Sequence, residues 1–314
     1  MTENQYCSLI SKTSAPSIVG TAGYKPCQIF VEFKQPWTSN FVQSPGFPSG
    51  IDILLKNLMR QYKVPITLNA MCRDIEDDKE DSNLFILYYK PGTKLAYSFL
   101  VYNVAIGKLE PFLSQLLPDL LGKGIENQQH AQRKRRAIMV CCHGQRDRCC
   151  GKFGQDLHEH ISQFTMNKKL PIDVWKTSHI GGHKYAPTLI DLPSMRVWGH
   201  LSHAEAESLL LKAQFNPDLM KRYRGFCGLF TSYEQFAESE AFKKFGWNWL
   251  SRDDYKVSSD WQKDTEPANG QVIFSSENTK ESIFRCKVSQ KGTFESQASC
   301  FKPEKKCIPI YSTI

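Results

Sequence analysis

The sequence predicts an α/β protein, because two stretches of the chain repeat the same order of elements. Apolar runs rich in β-branched and aromatic residues alternate with amphipathic segments of helical period. The order strand, helix, strand, strand, strand, helix occurs between residues 27 and 122 and again between residues 137 and 215. Hydrophobic residues make up 41% of the 314 residues and aromatic residues 12%, which fits a folded chain with a sizeable core.

In the first stretch, each predicted strand or helix is bounded by a proline, a turn or a polar loop. The strands are CQIFVEF, PITLNAMC, LFILYYK and YSFLVYNV, and the last two form a hairpin across PGTKLA, after the acidic loop DIEDDKEDSN. The helices are IDILLKNLMRQYK, which ends before Pro65, and LEPFLSQLLPDLLG, which contains Pro118.

The second stretch repeats this order with different residues. Its strands are AIMVCCH, PIDVWKTS, TLIDLP and MRVWGHL, the last two turning at Pro193 and Ser194. Its helices are GQDLHEHISQFTM, with glycines near its start, and SHAEAESLLLKAQF. Ser202 is the predicted N-cap of the second helix, and Glu205 takes the capping-box position.

A βαβ unit followed by a ββα unit in one sheet is the thioredoxin-like arrangement. The prediction is therefore two tandem thioredoxin-like domains, residues 1–125 and 137–215, divided by a polar, basic segment near residues 122–136. Residues 216–314 are predicted to be a small C-terminal α+β elaboration. It would contain the helix FAESEAFKKFGWNWL and a hairpin of QVIFSS and SIFRCKVSQ.

Charge and hydropathy indicate a cytoplasmic protein that does not enter membranes. No stretch approaches the roughly 20 apolar residues of a membrane span, and MTENQYCSLISKT lacks a signal-peptide pattern. The net charge of +8 is partly concentrated in RKRR and FKPEKKC. Stacking aromatic residues do not interleave with the RKRR run, so it is typical of a solvated linker, and a nucleic-acid partner is not expected.

The stretch AIMVCCHGQRDRCCGKFG (residues 137–154) concentrates four cysteines where a strand gives way to a helix. A reducing compartment keeps thiols unpaired, and clustered ones there tend to bind metals or act in redox chemistry. Ligands of open α/β sheets bind in the crevice at the carboxyl ends of the strands. The cysteines are therefore candidate ligands at that edge.

A second candidate group lies in SHIGGHKYAP (residues 178–187), after the next strand of the sheet. Gly181 and Gly182 would let the backbone curl so that the rings of His179 and His183 converge. Adjacent parallel strands would bring this loop beside the cysteines, giving two thiols and two imidazoles. Zinc accepts this donor set, but the wide cysteine spacing is more typical of an iron–sulfur cluster; both metals remain open.

The combination of VCCHGQRDRCCG, SHIGGHKYAPTLIDLP and VWGHL closely resembles the sucrase/ferredoxin-like family, whose members have thioredoxin-like ferredoxin domains. The segments CSLISKTSAPSIVGTAGYKPCQIFVEF and YRGFCGLFTSYEQFAESEAFKKFGWNW resemble its bacterial branch. The resemblance implies a [2Fe-2S] cluster on Cys141, Cys150, His179 and His183. The doubled cysteines leave Cys142 and Cys149 as less favoured alternatives.

Several neighbours of this predicted site are expected to orient the ligands or shape the loops without touching the metal. They are His143, Arg146, Asp147, Gly181, Gly182 and Lys184. The remaining cysteines have no partner by sequence, and a second site formed by Cys286, Cys300 and Cys307 is the less favoured interpretation.

With the cluster bound, the protein is predicted to carry out pH-coupled one-electron transfer. A flavin- or NADPH-linked reductase would be the donor, and the acceptor is open. A thiol–disulfide redox protein is one alternative, although RCCGKFG lacks the usual C-x-x-C. A structural zinc protein with the same ligands is another. The sequence contains no G-x-S-x-G motif and suggests no carboxylate pair of a glycosidase, so hydrolase activity is not expected.

Overall fold

Nine strands form the large sheet of the computed structural model, which describes residues 6–73, 81–89, 93–123, 136–252 and 254–314. In chain order the strands are β1 (Cys27–Glu32), β2 (Ile66–Cys72), β3 (Asp81–Tyr88), β4 (Ser98–Ala105), β5 (Arg136–Cys141), β6 (Ile172–Thr177), β7 (Thr188–Leu192), β8 (Arg196–Gly199) and β9 (Tyr223–Phe226). Their order across the sheet is β4-β3-β1-β2-β6-β5-β7-β8-β9. Strands β1 and β2 are parallel, as are β5 and β6, and every other neighbouring pair is antiparallel.

The two halves of this sheet have the same internal order. In the first half a parallel pair, β1 and β2, is extended by β3 and β4, and in the second half β5 and β6 are extended by β7 and β8. Both hairpins and both parallel pairs predicted from the sequence are present. The mixed α/β class is therefore confirmed.

Six α-helices accompany the sheets in the described residues: α1 (Cys7–Ser14), α2 (Ile51–Tyr62), α3 (Leu109–Lys123), α4 (Gln155–Asn167), α5 (His203–Leu211) and α6 (Ser232–Phe245). Helix α2 contacts α3, and α4 contacts α5, so each half of the sheet has its own helix pair. The predicted capping box of α5 is confirmed, with Ser202 and Glu205 exchanging hydrogen bonds. Pro118 is accommodated inside α3.

The halves meet at a short junction between β2 and β6. Only Met71 and Thr177, and Cys72 and Lys176, are paired across it. Side chains extend the contact, because Ser178 Oγ accepts hydrogen bonds from Asn69 Nδ2 and from the Ala70 N–H, both at 3.0 Å. The carboxyl ends of both parallel pairs therefore lie at the centre of the large sheet.

The C-terminal residues form a four-stranded antiparallel sheet. Its strands are β10 (Tyr255–Gln262), β11 (Asn269–Ser276), β12 (Ser282–Ser299) and β13 (Lys302–Thr313), in that spatial order. The β11–β12 hairpin is the predicted one. Elements that the sequence patterns did not predict are α1, β9, β10 and β13, and β9 joins the large sheet beside β8.

A buried network of polar side chains connects the large sheet to the C-terminal region. The carboxylate of Glu238, on α6, is fully buried and accepts three hydrogen bonds. The donors are Arg196 Nη2 at 3.1 Å and Trp249 Nε1 at 2.9 Å, both to Oε1, and the Tyr223 hydroxyl at 2.6 Å to Oε2. The Tyr255 hydroxyl accepts from the same guanidinium at 3.0 Å.

Three of the hydrogen bonds in this network end on the Glu238 carboxylate, and the fourth joins the Arg196 guanidinium to Tyr255. Together they stabilise a charge pair that is otherwise removed from water. Such a pair is stable only while both of its members are present.

Two predicted segments fall largely outside the described residues: the divider near residues 122–136 with its RKRR run, and the acidic loop from residue 74 onward. The division into residues 1–125, 137–215 and 216–314 stays a prediction. Among the helices of the described ranges, none combines the length and apolar character needed to cross a membrane.

The buried His200 predicts a loss of stability in mild acid. Burial lowers its pKa from 6.5 to about 3, so the folded chain keeps the ring neutral while the unfolded chain takes up a proton. Stability is therefore retained above pH 6.5 and falls as the pH drops toward 3, by about 2 kcal/mol between pH 6.5 and 5. Urea unfolding at both pH values measures this change.

The matched variant is His200→Asn, because residue 200 has a φ of 55° and asparagine tolerates that conformation. Its pH dependence between 6.5 and 5 should be weaker than that of the unchanged chain by the amount assigned to His200. An identical pH dependence in both proteins contradicts the assignment.

Candidate metal centre

The central edge of the sheet carries the cysteines and histidines singled out in the sequence. Strands β5 and β6 are parallel, and their last residues, Cys141 and Thr177, are paired. The loop after β5 leads into a π-helical turn, Cys150–Gly154, and then into α4. The loop after β6, residues 178–187, is called the histidine loop below. Both loops therefore leave the sheet side by side.

Three predicted ligands converge here. The Nδ1 atom of His179 lies 3.8 Å from Cys141 Sγ and 3.7 Å from Cys150 Sγ. The three donor atoms all lie within 4.8 Å of one another. Both cysteines are 1% exposed, whereas the imidazole is partly exposed. Two buried thiols and one imidazole therefore face a common point that is accessible from the histidine side.

The two thiols differ in acidity. The pKa of Cys141 is held well below its usual range, mainly by a hydrogen bond from the Cys150 thiol and also by His179. Cys150, which donates that bond and is buried, has its pKa raised. Cys141 is therefore the thiol of this pair that loses its proton first. Metals bind the thiolate form, so this site is partly prepared for a cation.

His183 lies next to the group and outside it. Its Nδ1 atom is 3.5 Å from Nε2 of His179, and the two rings are stacked with centroids 5.3 Å apart. Its Nε2 atom lies 2.5 Å from the carbonyl oxygen of Ala298, at the end of β12. The structure thus brings together three of the four predicted ligands. The role of His183 as the fourth stays a prediction.

The shape of the histidine loop depends on its glycines and on Arg224. Gly182 has a φ of +79°, and a Cβ atom there would lie 2.3 Å from Arg224 Nη2. The same guanidinium donates to the carbonyl oxygens of Gly181 at 3.0 Å and Thr21 at 2.7 Å. Through these hydrogen bonds Arg224 holds the loop. The guanidinium is buried, and it places positive charge near the thiols.

His143 connects the site to the first half of the sheet. Its Nδ1 atom accepts the backbone N–H of His179 at 3.2 Å, which leaves Nε2 to donate to the carbonyl oxygen of Thr38 at 2.8 Å. Burial lowers the pKa of His143 and favours this neutral form. His143, which the sequence suggested only as a neighbour of the site, thus fixes the backbone of the predicted ligand His179.

The other predicted neighbours have different surroundings. Arg146 lines a cleft with Asn40, Asn69 and His179. Lys184 lies over the Tyr185 ring at 5.4 Å, and burial lowers its pKa to about 8. Asp147 is fully buried, and its two oxygens accept the backbone N–H groups of Cys149 at 2.9 Å and Cys300 at 3.1 Å.

The doubled cysteines are separated by the fold. Cys142 is buried in the core, and Cys149 lies with Cys7 and Cys300 in a second group, away from His179. Sequence reasoning did not find this group, and Cys286 and Cys307 lie elsewhere, on β12 and β13. Arg224 was missed too, although YRGFCG was noted as part of the family resemblance.

These features define an α/β protein with a thiol–imidazole donor set at the carboxyl ends of two parallel strands. A family model described as sucrase/ferredoxin-like matches residues 18–225. The match covers more than half of the chain, which therefore belongs to this family. It includes both loops of the site.

Two curated relatives share the same name, "Altered inheritance of mitochondria protein 32". The protein of Debaryomyces hansenii is 32% identical over 156 residues, which is 49% of this chain and 54% of the relative. The protein of Clavispora lusitaniae is 40% identical over 53 residues, or 17% of this chain and 19% of the relative. The chain thus spans about half of the first relative. No solved structure matches it.

These relatives correct the predicted function. Their name refers to the inheritance of mitochondria, and it does not describe an iron–sulfur electron carrier. The prediction of a pH-coupled [2Fe-2S] electron-transfer protein, taken from the family resemblance, is therefore wrong. The family itself is confirmed, because the family model matches the sequence of this chain. Membership of a family does not by itself fix an activity. The reductase partner predicted for that role is untested.

Proposed function

We propose that this chain is a metal-binding protein whose centre is formed by Cys141, Cys150 and His179. The observation that carries the proposal is the convergence of three donor atoms within 4.8 Å, from loops that follow two adjacent strands. Thiolate sulfur and imidazole nitrogen are ligands of zinc, and three protein ligands leave a fourth position open. His183 or a water molecule would complete the coordination.

The surroundings support this proposal. The lowered pKa of the buried Cys141 thiol favours its anionic form, which positive charge stabilises, and the buried guanidinium of Arg224 lies close enough to interact with it. The His143 bond to the His179 backbone holds the ligand loop in place without using an imidazole nitrogen of His179. When bound, zinc would supply Lewis acidity at the open position or stability to the two loops.

We also infer that each half of the large sheet is a thioredoxin-like unit. The shared strand order and the separate helix pairs support this inference. The relatives' name supports a cellular role connected with mitochondria. The cytoplasmic location and the bacterial branch stay predictions, and the two named relatives are yeast proteins.

Metal analysis tests the proposed function. The full chain, purified without oxygen and reconstituted with Zn²⁺, should lose one bound zinc per chain in His179→Ala and in Cys150→Ala, because each removes a ligand. Cys27→Ala is the matched control, since Cys27 is an equally buried thiol on β1 and lies in the other core. It should keep the full zinc content.

The outcomes against the proposal are specific. Equal zinc content in His179→Ala, Cys150→Ala and the unchanged chain would show that the metal binds elsewhere. Iron with acid-labile sulfide, retained in place of zinc and lost in both variants, would overturn the assignment of zinc.

A further inference from the structure

Three cysteines that are distant in sequence meet beside Asp147. The distances between their sulfur atoms are 3.5 Å for Cys7 and Cys149, 3.2 Å for Cys149 and Cys300, and 3.4 Å for Cys300 and Cys7. Cys7 begins α1, Cys149 precedes the π-helical turn, and Cys300 follows β12. We call this group the three-cysteine cluster.

The distances distinguish a ligand triangle from a disulfide. A disulfide requires about 2.05 Å between two sulfurs, and all three cysteines are unbonded. The three separations differ by at most 0.3 Å, so no pair is singled out. Zinc–sulfur bonds of about 2.3 Å in a tetrahedron place the sulfurs roughly 3.8 Å apart, so the triangle needs to widen by only a few tenths of an ångström.

Backbone groups around the cluster favour sulfur in its anionic form. The N–H of Cys7 donates to Cys300 Sγ at 3.5 Å, and the N–H of Ser8 donates to Cys149 Sγ at 3.4 Å. Both donors belong to the first turn of α1. N–H groups directed at sulfur stabilise a thiolate more than a thiol.

A fourth donor completes the group. A carboxylate oxygen of the fully buried Asp147 lies within 4.8 Å of all three sulfurs. Its two backbone hydrogen bonds, from Cys149 and Cys300, fix the carboxylate between the loop and the end of β12. Three thiols and a buried carboxylate form an acidic donor set, whose negative charge a bound zinc ion would offset in part.

We propose that Cys7, Cys149 and Cys300, with Asp147, form a second metal site that binds one zinc ion. Binding replaces the protons of the three thiols, which pass to solvent, and forms three zinc–sulfur bonds and one zinc–oxygen bond. No oxidant or reductant is required. The site would join α1, the cysteine loop and the C-terminal sheet at a single point.

This site lies beside the first centre and would position its ligands. Cys149 precedes Cys150 directly, and Asp147 Oδ2 lies 3.9 Å from Nε2 of His183. The Ala298 carbonyl that contacts the same ring lies two residues before Cys300. An ion in the three-cysteine cluster would therefore restrain both loops of the first centre.

The test measures zinc in the full chain, purified without oxygen and reconstituted with Zn²⁺. Cys7→Ala and Cys300→Ala should each lose one zinc per chain. Cys300→Ser is the gentler variant, because Cys300 is only partly buried, and circular dichroism checks that it folds. Cys307→Ala, an exposed thiol on β13, and Cys286→Ala, a buried thiol on β12, are matched controls that should keep full zinc content.

Different results would refute each of the two proposed sites. If all zinc disappears in Cys150→Ala and none in folded Cys300→Ser, the second site is refuted and the first stands. If all zinc disappears in Cys300→Ser and none in Cys150→Ala, the first is refuted. A disulfide between two cluster cysteines in protein prepared without oxygen, detected by peptide mass analysis, would also overturn the second site.

Discussion

Gly154→Ala should unfold or severely weaken the second half of the large sheet. A Cβ atom at this position would lie 1.9 Å from the carbonyl oxygen of Cys141, which is backbone and cannot rotate away. Either the π-helical turn or the end of β5 would have to move. We expect a loss of more than about 3 kcal/mol in the free energy of unfolding, above the ordinary range for overpacking. Urea unfolding measures it.

The same variant should also lose zinc from the first centre, because moving the end of β5 displaces Cys141. Gly107→Ala is the matched control: a Cβ atom there meets nothing within 4 Å, so we expect a change within about 0.5 kcal/mol. A Gly154→Ala protein with unchanged stability and zinc content would contradict the packing described here.

Glu238→Leu should destabilise the chain by about 3–5 kcal/mol, because it leaves the Arg196 charge buried without its partner. The Arg196 side chain is 5% exposed and that of Glu238 is 0% exposed. The variant also removes the acceptor of the Tyr223 hydroxyl and the Trp249 indole. Chemical denaturation of the two proteins measures the difference.

Two further variants test whether the loss of stability comes from the buried charge pair or from the removal of any charge. Glu295→Ala removes an exposed pair with Lys305, whose side chains are 58% and 65% exposed, and should cost less than about 1 kcal/mol. Arg196→Met with Glu238→Leu should be more stable than Glu238→Leu alone, since no buried charge remains. If the double variant is the less stable of the two, the unpaired charge is not the cause.

The part of the site that could be predicted from sequence is the part that local topology determines. The carboxyl ends of β5 and β6 must lie together once the strands are parallel, so Cys141 and His179 meet. Which cysteine of each doubled pair joins the site depends on the direction in which each side chain leaves the backbone. That choice is set by the close approach of Gly154 to Cys141 and by the turn at Cys150.

The three-cysteine cluster had no local pattern from which it could be predicted. Its members are 142, 151 and 293 residues apart, so only the tertiary fold brings them together. Strand β13 was missed because KPEKKCIPIYST is rich in lysine and contains two prolines, which an edge strand tolerates. Helix α1 has only eight residues, four of them Ser or Thr, and packs against β12 and the histidine loop.

The separation of Cys7 from Cys300 also matters while the chain is being made. These residues touch across 293 positions, so α1 cannot find its final surface until residue 300 has left the ribosome. At roughly 5–20 residues per second, that interval lasts on the order of 15–60 s. During it the Cys7 thiol lacks its contact with Cys300 and is more open to oxidation than in the folded chain.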